Sequence, residues 1–336
     1  MIDQTVGRLA PSPTGGLHLG HARTFLIAWL SARQAGGRVV LRIEDLDATR
    51  ARAEAIDSAV ADLEWLGLDW DDGPFYQSRR TDLYDNALSR LRDAELVYPC
   101  TCTRADILRA ASAPHAEDEG PAYPGTCADR SAADAATLGD RPFAWRFRVS
   151  GRTEPVAWDD LFLGRISIDP PRLGGDFVVG RQGAGASYQL AVVVDDSQMG
   201  VTQVIRGDDL IPSTPRQILL YEALHHAQPQ FGHVPLVLGP DGRRLAKRDG
   251  SIKLATLRDQ GLDPRDLIGL LAHSCGWTDH PAPSSPYHWI TRYSPSSIPA
   301  TPWVLPEMRT NHRGTEAQRR QVEGGGEEEK EKAREG

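Results

Sequence analysis

Near its start the chain passes from a short apolar run, Thr5 to Ala10, through a proline, serine and glycine cluster into the apolar-rich segment His21 to Ala32. That order predicts a strand, a tight loop and a helix, the opening unit of a parallel α/β sheet. Gly15, Gly16 and Gly20 let backbone approach a ligand closely, and a helix N-terminus offers unpaired N–H groups and a dipole that favours an anion. His18 and His21, three residues apart, fall on one face of the helix start and add imidazole donors. A polyphosphate suits such a loop, although two histidines at an ordinary surface turn share the same local pattern.

A second stretch, GPDGRRLAKRDGS from Gly239, sets Arg243, Arg244, Lys247 and Arg248 within six positions. Alone, a short basic run reads as a solvated surface; beside the first stretch it reads as a cationic clamp on phosphate charge that develops in a transition state. The chain has no GxxxxGK[ST] loop, and the glycines of GRQGAGAS from Gly180 miss the GxGxxG spacing, which argues against a kinase or an NAD enzyme.

With 336 residues and 40% hydrophobic content, the chain can bury one large or two modest cores. It carries neither an N-terminal apolar core nor an 18-residue apolar run, so the expectation is a soluble cytoplasmic protein with no membrane contact. VVLRI from Val39 and the VVV of Val192 to Val194 read as strands, and Arg50 to Leu66, Asp82 to Leu96 and Thr214 to Leu224 read as helices. An insertion from Tyr98 to Ser187 interrupts this alternation, with WRFRV and WDDLFLGRISID as its strands. Beyond the basic loop come helical patterns at Ala255 to Gln260 and Pro264 to His273, a Pro/Ser-rich segment to Leu305, and a charged low-complexity end expected to be disordered. The expected division is 1–97 with 188–240, 98–187, 241–305, and a tail 306–336.

Cys100 and Cys102 form a CxC pair beside Tyr98, and Cys127 follows Tyr123 in YPGTC. Clustered thiols without a secretion signal point to a sulfur-rich tetrahedral zinc site more than to disulfides. Spacing leaves the fourth ligand open, with His115 in the intervening loop an ordinary candidate. Cys275 reads as a small core residue. The net charge of −8 is no bar to RNA binding if Arg172, Arg181, Arg243, Arg244, Lys247, Arg248 and Lys253 form a local basic rim.

From residue 5 to about 275 the chain resembles bacterial glutamyl-tRNA synthetases of class I, and is most similar to their shortened relatives, the glutamyl-queuosine tRNA(Asp) synthetases. The resemblance is carried, in the family's order, by RLAPSPTGGLHLGHARTFL, LRIEDLDATR, YQLAVVVDDSQMGVTQVIRGDDLIPSTPRQ and RLAKRDGS. It implies a Rossmann-type catalytic domain, an inserted zinc-knuckle domain that helps hold the RNA, a short helical C-terminal region, and a monomer. The implied activity is activation of L-glutamate by ATP and Mg²⁺ to glutamyl-adenylate, followed by transfer to RNA.

For the glutamate pocket the resemblance nominates Arg8, Leu9, Ala10, Pro11, Ser12, Glu44, Tyr188 and Arg206. The chemistry is consistent, since guanidinium forks suit carboxylates and Glu44 suits an ammonium. His18, His21 and Lys247 are the implied catalytic groups, with Arg244 joining them at ATP. The basic loop departs from the family pattern at Arg244, where a lysine is usual, and at Ala246, where a serine is usual. One structural Zn²⁺ is implied on Cys100, Cys102, Tyr123 and Cys127. Conventional relatives continue into a helical anticodon-binding region; the short remainder here points instead to the cyclopentene-diol of queuosine in tRNA(Asp) as the acceptor. The alternatives are a truncated synthetase charging the 3′ end of tRNA(Glu) and a noncatalytic RNA-binding paralogue.

Overall fold

The computed structural model describes residues 4–47, 52–110, 122–149, 151–243, 245 and 253–306. The chain begins with β1 (Val6–Leu9), α1 (Leu19–Gln34), β2 (Arg38–Ile43), α2 (Ala53–Leu66), β3 (Asp72–Tyr76) and α3 (Thr81–Asp93). Strands β1, β2 and β3 pair in parallel, with Val6 opposite Arg38 and Val40 opposite Asp72, because each crossover carries a helix back over the sheet. A Cβ on Gly7 would stand 3.0 Å from the Cβ of Ala32, so α1 lies close on β1 at that point.

There follow β4 (Val97–Cys100), α4 (Arg104–Ala110), β5 (Ala144–Phe147), β6 (Val156–Asp160), β7 (Gly164–Ile168), β8 (Phe177–Arg181) and β9 (Gly185–Ala186). β4, β5, β8 and β9 form an antiparallel sheet in that order, and β6 and β7 form a hairpin. The expected strands WRFRV and WDDLFLGRISID are thus β5 and the β6–β7 hairpin. The hairpin tip then lies on the catalytic layer described next, where the Leu161 N–H donates to Phe231 O at 2.9 Å.

The parallel layer resumes with α5 (Tyr188–Gln198), β10 (Gln203–Gly207), α6 (Ser213–Ala223) and β11 (Gln230–Val234). β10 and β11 pair in parallel. β10 also lies against β1, since the Thr202 N–H donates to Val6 O at 3.0 Å and the Val6 N–H donates to Thr202 Oγ1 at 2.9 Å. The spatial order β3-β2-β1-β10-β11 reverses direction between β1 and β10, and a sheet wound in this way opens a crevice at the carboxyl ends of those strands.

The VVV of Val192 to Val194 is a correction: it lies inside α5 and not in a strand. Every residue from Leu190 to Asp196 is buried, so packing on several sides overrides the modest β preference of the branched side chains.

The last elements are β12 (Val237–Leu238), α7 (Leu254–Asp259), α8 (Pro264–Ser274), α9 (Pro286–Trp289) and β13 (Trp303–Val304). Asp263 caps α8 by accepting the Arg265 N–H, with Pro264 at the first helical position. Buried Arg23 of α1 ties this region to the sheet, donating to Ser274 Oγ at 3.0 Å and to Pro235 O at 2.9 Å. β13 returns to pair in parallel with β12. Val39, Leu41 and Ile43 face one core with α1, α2 and α8, while Val40 faces the other with α5 and α6. No helix among the described residues is long and apolar enough to cross a membrane.

Candidate active site

A cavity of about 350 Å³ opens at the carboxyl ends of β1 and β10. Arg8, Ala10, Pro11, Ser12, His18, His21, Glu44, Tyr188 and Arg206 all line it, bringing together residues from four separate stretches of sequence. Leu9, on the alternate face of β1, is fully buried in the α1 core and contributes no side chain to the cavity. Arg244, Ala246, Lys247 and Arg248 lie outside the described residues, as does His115. Leu245 lines the cavity, and Lys253 makes an isolated antiparallel bridge to His18.

The histidines are held by the helix they open. His18 is the N-cap of α1, and its Nδ1 accepts the Gly20 N–H at 3.1 Å. His21 Nδ1 in turn accepts the His18 N–H at 3.2 Å, closing a reciprocal capping box. Since each Nδ1 is an acceptor, each neutral ring carries its proton on Nε2, at the edge away from the helix backbone. The ring centroids are 3.8 Å apart, a distance at which two imidazolium charges would repel. Burial lowers the His18 pKa, only partly opposed by Asp209, and keeps this ring a neutral donor.

Behind the cavity the charges are interlocked. Arg42 Nη1 donates to Asp196 at 2.6 Å and Nη2 to Glu44 Oε1 at 3.1 Å, while Ser12 Oγ donates to Glu44 Oε2 at 3.2 Å. Glu44 is therefore oriented from two sides. Arg8 Nη1 donates to Ile205 O at 2.8 Å, and its Nε lies 3.9 Å from Asp196. Asp195 accepts from Gln77, Arg80 and Tyr84 at 2.7 to 2.8 Å. Burial lowers the Arg8 pKa against the pull of Asp196, with Arg42 and Arg206 adding to the lowering. For Arg42 burial is outweighed by Asp196, Glu44 and Asp195, and its pKa rises. Burial, with Glu44 adding to it, raises Tyr188 and keeps the phenol protonated.

Arg206 is 4% exposed and spreads its donors over three partners: His233 Nε2 at 3.2 Å, Gln217 Oε1 at 2.8 Å and Thr214 Oγ1 at 2.7 Å. Among the described residues none of these partners is a carboxylate, so the positive charge is left for an anionic ligand. Sequence reading did not single out Asp160, Asp196, Thr214, Gln217 or His233. Asp196 stands inside the quoted VVVDDSQ stretch, and a buried Asp–Asp pair in an apolar run was the available signal.

At the end of β4, Cys100 and the loop residues Cys102 and Cys127 bring their sulfurs within 4.8 Å of one another. Cys102 and Cys127 are 3.7 Å apart, too far for a disulfide and close to the roughly 3.8 Å between sulfurs on a tetrahedral zinc with bonds of about 2.3 Å. Tyr123 Oη is 3.4 Å from Cys100 Sγ and accepts the Cys127 N–H at 2.8 Å. Burial, with Cys127 and Cys100 adding to it, pushes the Cys102 thiol up to about 11. Three thiols gathered in this way could hold a metal ion, and the donor set fits zinc.

Residues 4–284 match the model for the catalytic domain of class I tRNA synthetases (E and Q). A glutamyl-Q tRNA(Asp) synthetase of Symbiobacterium thermophilum is 50% identical over 314 residues, which cover 89% of this chain and 95% of that protein. A glutamate–tRNA ligase of Geobacter sulfurreducens is 45% identical over 271 residues, 81% of this chain but 57% of that protein. The crystal structure of a glutamate tRNA ligase from Elizabethkingia meningosepticum in complex with its amino acid is similar at a TM-score of 0.78 and 26% identity, over 90% of this chain and 67% of that one. The crevice at the sheet reversal and the similarity along nearly the full length of both proteins agree: the chain belongs to the class I glutamate and glutamine tRNA synthetases, and within them to the glutamyl-Q tRNA(Asp) synthetase family.

Proposed function

We propose that the chain activates L-glutamate with ATP and Mg²⁺ and transfers the glutamyl group to the queuosine base in the anticodon of tRNA(Asp). In the first step a glutamate carboxylate oxygen attacks the α-phosphate of ATP and pyrophosphate leaves. In the second a hydroxyl of the queuosine cyclopentene-diol attacks the adenylate carbonyl and AMP leaves. Neither step needs a protein nucleophile, so the residues act by alignment and charge stabilisation.

Arg8 and Arg206 receive glutamate carboxylate charge, Glu44 receives the ammonium, and Ala10, Pro11, Ser12 and Tyr188 shape the pocket, to which Leu9 adds only backbone. His18 and His21 present Nε2–H groups to the ATP phosphates, and Arg244 and Lys247 add cationic charge there. Arg206 carries this reading furthest: it is a buried guanidinium facing the cavity with only uncharged partners among the described residues. In water such a charge would cost little; buried, it is compensated when an anion binds.

Residues 1–97 and 188–240 would then form the catalytic unit, 98–187 the RNA-facing insertion, and 241–305 the phosphate clamp with its helical support. Cys100, Cys102 and Cys127, with Tyr123 as the fourth ligand, would hold one structural Zn²⁺, which braces the insertion and takes no part in the chemistry. ATP, glutamate and tRNA are cytoplasmic substrates, and we place the activity in that compartment.

The deciding experiment incubates the protein with ATP, Mg²⁺ and labelled glutamate against tRNA from queuosine-containing cells and from cells lacking the base. Label in the first pool alone is the expected outcome. Equal label in both pools means charging of a 3′ end, and no label in either removes the proposed transfer.

A further inference from the structure

Asp160 and His233 are 73 residues apart in sequence and in direct contact behind the cavity. Five N–H donors converge on the Asp160 carboxylate. Oδ1 accepts from the Phe162 and Leu163 N–H groups at 3.1 and 3.3 Å and from the His233 N–H at 3.0 Å. Oδ2 accepts from His233 Nδ1 at 2.5 Å and from Trp158 Nε1 at 3.3 Å. The contact is possible because the β6–β7 hairpin tip lies directly on β11 at Gly232, where a Cβ would come within 2.8 Å of Phe162 and 3.1 Å of Leu161.

A carboxylate accepting from Nδ1 leaves the neutral imidazole with its lone pair on Nε2. That lone pair receives the Arg206 Nε–H at 3.2 Å, and Thr214 Oγ1 stands 2.9 Å from the same nitrogen. Both His233 and Asp160 are almost wholly enclosed, and neither lines the cavity. Burial lowers the His233 pKa, and Arg206 adds to the lowering against the opposing bond to Asp160. A proton on Nε2 would confront the guanidinium Nε–H and turn the group away.

We infer that Asp160 and His233 are positioning residues that aim the Arg206 guanidinium at the side-chain (γ) carboxylate of the substrate, the group that glutamine lacks, and so set the preference for glutamate over glutamine. The inference rests on the proposed glutamate pocket. Through this relay the inserted hairpin, far from Arg206 in the chain, adjusts the catalytic layer.

Steady-state glutamate activation by the full chain, with queuosine-containing tRNA present, tests it through paired variants. His233→Asn keeps a donor toward Asp160 but offers no acceptor at the Nε2 position, whereas His233→Gln can place an amide oxygen there. Asp160→Asn puts an NH₂ among converging N–H donors and drives the histidine to the tautomer with its proton on Nε2. His233→Asn and Asp160→Asn are each expected to raise the KM for glutamate about tenfold, with kcat and the KM for ATP within about twofold of the parent. Both should lower the glutamate-over-glutamine ratio by a similar factor, and His233→Gln should recover most of it.

Equal effects on glutamate and ATP, or an unchanged glutamate-over-glutamine ratio, would reduce the pair to a structural contact and overturn the inference. If His233→Asn does not fold, Asp160→Asn carries the same comparison. A parent protein with no glutamate-dependent turnover would instead defeat the proposed function, leaving the two failures distinct.

Discussion

At Nδ1 His18 caps α1, and the same residue lines the cavity, so in the proposed function one residue joins helix stability to ligand binding. Asparagine is an equally good N-cap but lacks the distal N–H, which separates the two roles. His18→Asn should keep urea stability within about 0.5 kcal/mol of the parent, while His18→Ala loses about 1 kcal/mol. Both should slow glutamate-dependent ATP–pyrophosphate exchange by about a hundredfold, the usual effect of losing one aligned donor to transition-state charge. Full exchange activity in His18→Asn would remove the histidine from the phosphate site. This residue was legible because its partners, Gly20 and His21, are its neighbours in sequence. His233 was not, because its meaning comes from Asp160 and Arg206, each brought to it by a different strand.

Among the elements, the antiparallel sheet sends Val97, Trp145, Phe147 and Val179 into one of the two large cores, whereas Tyr98, Cys100, Tyr123 and Cys127 form a small separate core with little apolar surface of its own. A metal bound there would add folding free energy that packing alone does not provide. Protein purified without chelator should contain about one zinc ion per chain by atomic absorption, and Cys102→Ala should contain almost none. Removing the ion should lower the Tm while leaving the parallel layer folded. A metal-free parent with an unchanged Tm would leave the thiols as core residues. The CxC pair made this cluster readable from spacing, whereas α5 was misread because an apolar run of branched residues looks the same in a buried helix as in a strand.

For the molecule as a whole, a net charge of −8 must coexist with binding a polyanion. Arg172, Arg181, Arg243 and Lys253 are exposed, whereas Arg8 and Arg206, the cations that would grip glutamate, are buried and poorly screened. Raising salt from 50 to 200 mM should therefore lower kcat/KM for tRNA about tenfold, as expected for the loss of roughly two phosphate contacts. Glutamate activation should change less than about twofold over the same range. Parallel losses in both would place the salt-sensitive step inside the cavity and not at an RNA-binding rim.

Local order in the sequence determined the strand–loop–helix opening, the paired histidines, the clustered thiols and most helix positions, since each depends on residues within a turn or two of one another. Arg8, Glu44, Tyr188 and Arg206 could be nominated from their motifs, but only the tertiary structure set them around one cavity, at the reversal between β1 and β10. It also decided which donors each guanidinium retains for a ligand and which carboxylates hold it in place. Those assignments depend on hydrogen-bond geometry between strands and helices far apart in the chain, and sequence spacing carries no record of that geometry.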